Sequence, residues 1–180
     1  GQALEGTTDG TTWTFAGTPA ATARSAIAAI PVGRTVRFRL EAADTVGWVG
    51  GPVAGPAYRF ALVDDRASAV VRSSGWTRSA SSSGWAGTTT WTIAAGRTIS
   101  YRFTGSAISV LAPVGPTRGS VRVSLDGVAV GTFSEYATTN GARRIVYVRA
   151  VAPGTHTITL VTVGTSGRPR VDLDAFIVLR

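Results

Sequence analysis

The sequence predicts an all-β fold: an antiparallel β-sandwich or jelly roll, preceded by a partial second sandwich. Three observations predict it. Apolar and polar residues alternate with a period of two through most regular stretches. Clusters of Gly, Pro, Asn and Asp fall between those stretches at intervals of roughly 8–12 residues. Helical periodicity is almost absent, and Val, Ile and Thr dominate the regular runs.

Taken in order, the first ambiguous segment is AATARSAIAAI (20–30), which Pro31 ends. It reads as a helix or as a strand, and its neighbours favour the strand. In TVRFRLEA (35–42), Val36, Phe38 and Leu40 face one way while Arg37 and Arg39 face the other. A Gly/Pro turn region follows at 45–57, and a polar loop carrying two Trp at 73–87. Alternation resumes in TTTWTIA (88–94), RTISYRF (97–103), SVRVSLD (120–126), RRIVYVRA (143–150), HTITLVTV (156–163) and RVDLDAFIV (170–178). Asp126-Gly127 predicts a two-residue type I′ hairpin, because both central positions of that turn need positive φ. Pro153-Gly154 predicts a second turn. Cohesion is weakest around 45–57 and 73–87, and a boundary near 62–68 divides the chain into segments 1–62 and 63–180.

Composition narrows the functional classes. Apolar residues make up 44% of the 180 residues, enough to bury a core and to exclude general disorder. No Cys is present, so disulfides, thiol nucleophiles and Cys-ligated metals are excluded. No apolar run is long enough to predict a membrane span. The sequence has no Met and no visible signal peptide, so it reads as a mature fragment or an excised piece. All 18 basic residues are Arg, the usage of a very GC-rich genome. A net charge of +8 would draw anionic polymers. The arginines are nevertheless scattered along strands, with no basic helix or aromatic-basic stripe, so nucleic-acid binding is not predicted.

Two patterns carry a resemblance. VDD at 63–65, SGW at 74–76, ISYRFTGSAISVLAPVGPTRGSVRVSLDG at 99–127, APGTHTITL at 152–160 and GTSGRPRVDLDAF at 164–176 resemble a galactose-binding-domain-like jelly roll. Such modules are common at the C-termini of secreted bacterial, especially actinobacterial, proteins. Before it, TTDGTTWTFAG (7–17), PVGRTVRFRLEAAD (31–44) and WVGGPVAGPAYRFAL (48–62) resemble the second half of a fibronectin type III domain. A half sandwich leaves an open edge and an uncovered apolar face, which a longer chain, strand pairing with a neighbouring chain, or packing of these strands onto the jelly roll as one domain would complete; the longer chain or assembly is the favoured expectation.

The residues that could carry chemistry are few. Asp172 and Asp174 lie two apart in VDLDAF, which predicts a shared face of one strand. Four readings are open for them: a catalytic pair, a metal site, a pairing with Arg168 or Arg170, or, for Asp172, a hydrogen-bonding rim. Carboxylates parallel on one strand do not face across a cleft, which disfavours the first. The resemblance implies a structural calcium held near the last strand, a place Asp174 matches, with Asp64 and Asp65 as the nearest substitutes for the family's missing acidic start. Hard oxygen ligands of this kind suit Ca²⁺.

Among aromatics, Trp85 in SSSGWAG is the best candidate for an exposed sugar platform. Tyr136 in FSEYATTNG predicts a rim position beside Glu135 and Asn140, and Arg118 in APVGPTRGS is placed to meet an acidic ligand. Trp13, Trp76 and Trp91 read as packing residues, Trp48 as an exposed or core-capping turn residue, and His156 as a structural histidine. The expected function is a non-catalytic extracellular or cell-surface module that binds polysaccharide or cell-wall glycan. The competing expectation is a structural or adhesive module that assembles through open β-edges.

Overall fold

The computed structural model describes residues 2–20, 33–43, 46 and 49–180. The helix-or-strand segment at 21–30 and Trp48 lie outside them. The chain divides into two compact units, Gly1–Ala61 and Leu62–Arg180.

The first unit is an antiparallel sheet of β1 (Gln2–Thr7), β2 (Thr14–Gly17), β3 (Thr35–Ala43) and β4 (Val49–Asp64), in the order β2-β1-β3-β4. The last residues of β4 belong to the second unit. The β1–β2 turn is held by Asp9, whose Oδ1 accepts from the backbone N–H groups of Thr11 (2.8 Å) and Thr12 (2.7 Å). Glu5 and Arg39 face each other across β1 and β3 as an ion pair at 2.5 Å, and the Arg39 guanidinium lies 4.5 Å from the Trp13 ring centre.

The second unit contains two sheets. The larger has the order β10-β9-β11-β8-β13, with β5 also on β8; these strands are β5 (Val70–Arg72), β8 (Thr98–Val114), β9 (Ser120–Leu125), β10 (Val128–Ser134), β11 (Gly141–Thr162) and β13 (Ala175–Leu179). The smaller is β12-β7-β6, from β6 (Thr77–Ala80), β7 (Thr88–Thr92) and β12 (Val171–Leu173). All these pairings are antiparallel, as expected from the alternating sequence.

The core is built from that alternation. Ile99, Tyr101 and Phe103 point inward from β8, and beyond Gly105 the inward set switches to Ile108 and Val110. A change of parity needs an irregularity, and the partner strand supplies it where the register shifts between Ala150 and Gly154. The expected turn at Pro153-Gly154 is therefore this bulge, and β11 continues through it. Tyr101 stacks on Phe176 with ring centres 5.2 Å apart, which joins β8 to β13. Asp126 (φ 52°) and Gly127 (φ 83°) both take positive φ at the β9–β10 hairpin, as a two-residue turn of this kind requires.

One expectation is corrected. Asp172 and Asp174 do not act as neighbours on one strand face. Asp172 pairs with Trp91 in the smaller sheet, while the chain leaves that sheet at Asp174 and continues as β13 in the larger one. Such a crossing between layers ends the period-two relation, and each carboxylate meets different partners.

Candidate functional site

Three connections meet at one end of the second unit: 115–119 after β8, 135–140 after β10 and 163–170 after β11. Parallel bridges tie Gly115 to Tyr136 and Arg118 to Arg170. Backbone hydrogen bonds run from Gly119 N to Arg170 O (2.8 Å), from Glu135 N to Gly119 O (2.9 Å) and from Gly115 N to Glu135 O (3.0 Å). The loops are therefore fixed by main chain, and side chains project from a defined base.

At the centre of that base lies Asp172, whose side chain is inaccessible to solvent. Its Oδ2 accepts from Arg118 Nε (3.0 Å) and Arg170 Nε (2.9 Å), and its Oδ1 from Arg170 Nη2 (2.8 Å). The expected rim role for Asp172 fails for that reason: a carboxylate already forked by two guanidiniums and closed off from water does not reach a ligand. The charge of Asp172, after the side-chain hydrogen bond itself, raises the pKa of Arg170 above its ordinary value. Arg170 lies 4.6 Å from the Trp91 ring centre, and Trp91 Nε1 donates to Ser79 Oγ (2.9 Å).

Above this base sit groups that do reach water. Tyr136 is 47% exposed, and Arg168 lies over its ring at 4.2 Å from the centre. Asn140 is exposed and its Oδ1 accepts a long bond from Arg118 Nη1 (3.4 Å). The glycine at 115 leaves room for this crowding, since a Cβ there would meet Asn140 Oδ1 and lie 2.6 Å from Arg118 Nη1, and both side-chain ends would have to shift. Of the residues singled out from sequence, Arg118, Tyr136, Asn140 and Asp172 come together here. Arg168 and Arg170 join them as members that sequence reasoning offered only as partners for an aspartate.

Glu135 was expected on the rim and is instead wholly buried. Its Oε2 accepts from the Asp172 backbone N–H (2.8 Å), while Oε1 has no partner. Burial, and then the neighbouring Asp172 charge, pushes its carboxyl well above the usual range.

Trp85 belongs to a second group. It is half-buried, opens a short 3₁₀ turn (Trp85–Gly87), and its backbone N–H donates to Asp174 Oδ1 (2.7 Å). The fully buried Asp174 has its pKa raised to about 6, by burial first and then by the charges of Asp65 and Asp64. Of the three aspartates considered for a metal, Asp65 is already engaged: it accepts from Thr88 Oγ1 (2.6 Å) and Thr90 Oγ1 (2.5 Å), and Arg78 Nε stands 3.5 Å away. Asp64 Oδ1 accepts from Arg66 Nε (2.6 Å). That leaves Asp64 Oδ2 and Asp174 Oδ2, both buried and both without a partner. Among the described residues no group of three or more His, Asp or Glu side chains is placed to hold a metal ion. In the first unit, a cleft of about 500 Å³ is lined by Thr7, Asp9, Phe15, Val36 and Phe38 among others. Its one charged group, Asp9, is tied into its own turn.

No family model matches the chain. A curated relative, "A type blood N-acetyl-alpha-D-galactosamine deacetylase" of Flavonifractor plautii, is 30% identical over 135 residues. That match takes in 75% of this chain but only 17% of the relative, so the chain spans about a sixth of that protein's length. Two solved structures share the fold: CBM35 from Cellvibrio japonicus Abf62, at TM-score 0.50 and 13% identity, and a family 35 carbohydrate binding module from an environmental isolate, at TM-score 0.50 and 14% identity. Each aligns with 66% of this chain, and with 96% and 91% of its own length respectively. The fold is thus the β-sandwich of carbohydrate-binding modules.

Proposed function

We propose that residues 62–180 form a non-catalytic carbohydrate-binding module that holds a polysaccharide or cell-wall glycan at the three-loop end. The observation that carries this reading is the rim itself. A half-exposed aromatic ring, Tyr136, carrying Arg168 over one face, stands beside hydrogen-bonding groups of Asn140 and Arg118 on a base immobilised by Asp172. A flat ring takes the apolar side of a pyranose, and fixed polar groups around it take the hydroxyls. The fold shared with family 35 modules supports the reading, as does the partial match to an enzyme named for N-acetyl-alpha-D-galactosamine. The buried acids Glu135 and Asp172 lie behind the rim, which favours binding over hydrolysis. Such a module belongs outside the cell or on its surface, as an accessory part of a longer protein. Residues 2–61 fit a partial fibronectin type III-like spacer.

A calcium ion bound beside the unpartnered, buried Oδ2 atoms of Asp64 and Asp174 would draw hard anionic oxygen from both. Bound there, the ion would neutralise adjacent carboxylates and fix the Trp85 turn.

The test is a glycan array probed with wild type, Tyr136→Ala and Trp85→Ala, including N-acetylgalactosamine-terminated glycans and xylan fragments. Binding lost in Tyr136→Ala and kept in Trp85→Ala is expected. Loss in Trp85→Ala alone moves the site to the Asp174 group, and no binding by wild type refutes the reading. A second reading, pairing with a neighbouring chain, is favoured by β11. Over its first half, among the described residues, it pairs only with β8, and it exposes Ile145 (57%) and Val148 (64%). A monomeric mass in solution would dismiss that second reading.

A further inference from the structure

We propose that Glu135 is a positioning residue: a neutral carboxylic acid, buried behind the rim, that holds the β12 backbone and through it aims the guanidiniums of Arg118 and Arg170. This deepens the proposed glycan site and rests on that reading for its functional meaning, though not for its test.

The geometry forces the protonation state. The side-chain hydrogen bonds from the two guanidiniums in this cluster end on Asp172 or, at 3.4 Å, on Asn140, and none ends on Glu135. An ionised Glu135 would therefore be a buried charge with one N–H donor, next to a second carboxylate. Isolated buried charges of that kind neutralise rather than persist. Oε2 accepts the Asp172 N–H, so the proton resides on Oε1, the oxygen with no partner.

Its position explains what the acid does. Glu135 is fixed through its own backbone to Gly115 and Gly119, in the first loop. Its side chain then reaches β12 at Asp172. The residue whose amide it holds is the residue whose carboxylate holds both arginines. The charged groups facing Glu135 are Asp172 from β12, Arg170 just before it, and Arg118 from the 115–119 loop. Deprotonation would set Glu135 against Asp172, with both arginines already committed to the latter. Desolvation and the Asp172 charge hold the proton on well above the usual carboxyl range.

The experiment uses the full chain and NMR, with no glycan present. The readouts are the ¹³C shift of the Glu135 carboxyl and the hydrogen-exchange rates of the Arg118 and Arg170 Nε–H groups, for wild type, Glu135→Gln and Glu135→Ala. The wild-type carboxyl should titrate well above 4.5. In Glu135→Gln, which keeps the acceptor and the neutrality, exchange at pH 6 should stay within about twofold of wild type. As pH rises through the midpoint of that titration, the wild type should accelerate relative to Glu135→Gln. In Glu135→Ala, exchange should be faster by about tenfold or more. A titration midpoint at or below 4.5, a Glu135→Gln protein that loses protection at pH 6, or a Glu135→Ala protein that keeps it would each overturn the proposal. Should Glu135→Ala fail to fold, the first two readouts still decide it. A glycan array with no hits would refute the binding reading separately, because these measurements contain no sugar.

Discussion

Replacing Asp172 with Asn tests the base of the rim. The two side chains have nearly the same shape, so the change removes the charge and one acceptor while leaving the volume intact. Three bonds are affected: Arg118 Nε to Oδ2, Arg170 Nε to Oδ2 and Arg170 Nη2 to Oδ1. Whichever way the amide is turned, its NH₂ faces a guanidinium donor, so at least one bond becomes a donor–donor contact. Breaking a fully buried ion pair from one side costs about 3–5 kcal/mol. Here the arginine side chains keep 14% (Arg118) and 33% (Arg170) of their exposure, so water recovers part of the loss. A cost of about 2–3 kcal/mol follows. With a urea slope of about 2 kcal/mol/M, the unfolding midpoint should fall by about 1 M or slightly more. A double-mutant cycle with Arg170→Gln should show a coupling of about 1 kcal/mol or more, because the two residues share two of the three bonds. A midpoint shift below about 0.3 M, or additive single effects, would refute the claim that Asp172 is the anchor of the three-loop end.

Three further outcomes are expected. Asp174→Asn keeps the acceptor for the Trp85 N–H but removes a buried carboxyl whose pKa is raised from 3.8 to about 6; this group therefore costs the wild type stability as pH rises from about 4 to about 6, by up to about 3 kcal/mol, and the variant should lose that much less over the same range, with the raised Glu135 carboxyl still contributing its own loss in both. Urea unfolding at pH 4 and pH 7 checks this, and millimolar calcium should restore the wild type selectively. His156 Nδ1 lies 2.7 Å from Asp126 Oδ2 and Nε2 lies 2.9 Å from Ala152 O; two acceptors call for an imidazolium, which raises the His156 pKa and lowers that of Asp126. The stability this clamp contributes should be full between the unfolded values of about 4 and about 6.5, and be lost as pH rises through the folded His156 value or falls through the folded Asp126 value; ring ¹⁵N shifts followed against pH check the order. Finally, Gly119→Ala drives a Cβ into the Arg168 carbonyl oxygen, whereas Gly115→Ala meets only side-chain ends of Asn140 and Arg118. The first should destabilise by about 1–3 kcal/mol in urea unfolding, and the second should disturb the rim and glycan binding with little loss of stability.

The strand pattern was legible because period two needs no knowledge of partners: Ile99, Tyr101 and Phe103 announce an inward face by themselves. The Asp126-Gly127 turn was legible for the same reason, since positive φ is a local demand. Pro153-Gly154 misled because the same residues that make a turn also make a bulge, and only the opposing stretch of β8 decides which. The aspartates misled because the sequence does not mark where a chain leaves one sheet for another. Glu135 lies between Ser134 and Tyr136, both exposed, and nothing local distinguishes it from a surface acid. Its backbone is held to Gly115 and Gly119 and its side chain to Asp172, contacts made across the fold. Arg118, Tyr136 and Asn140 could be nominated singly from their loops, but their meeting depends on parallel bridges that no hairpin pattern encodes.

Of the nine acidic residues among the described residues, four are buried: Asp65, Glu135, Asp172 and Asp174. A core selected for stability alone has little use for them, since well-packed apolar side chains in such places are commonly neutral or better. Their positions suggest a different use. Each ties a connection between strands to the end of another strand: Glu135 and Asp172 at the three-loop end, Asp65 and Asp174 at the Trp85 turn. A ligand that meets long arginine side chains on free loops must immobilise them, at about 0.5–1.5 kcal/mol for each side chain. Asp172 has already done so for Arg118 and Arg170 before any ligand arrives. The buried acids thus exchange stability of the free protein for order at its rim, and the exchange is coherent only if that rim meets a partner.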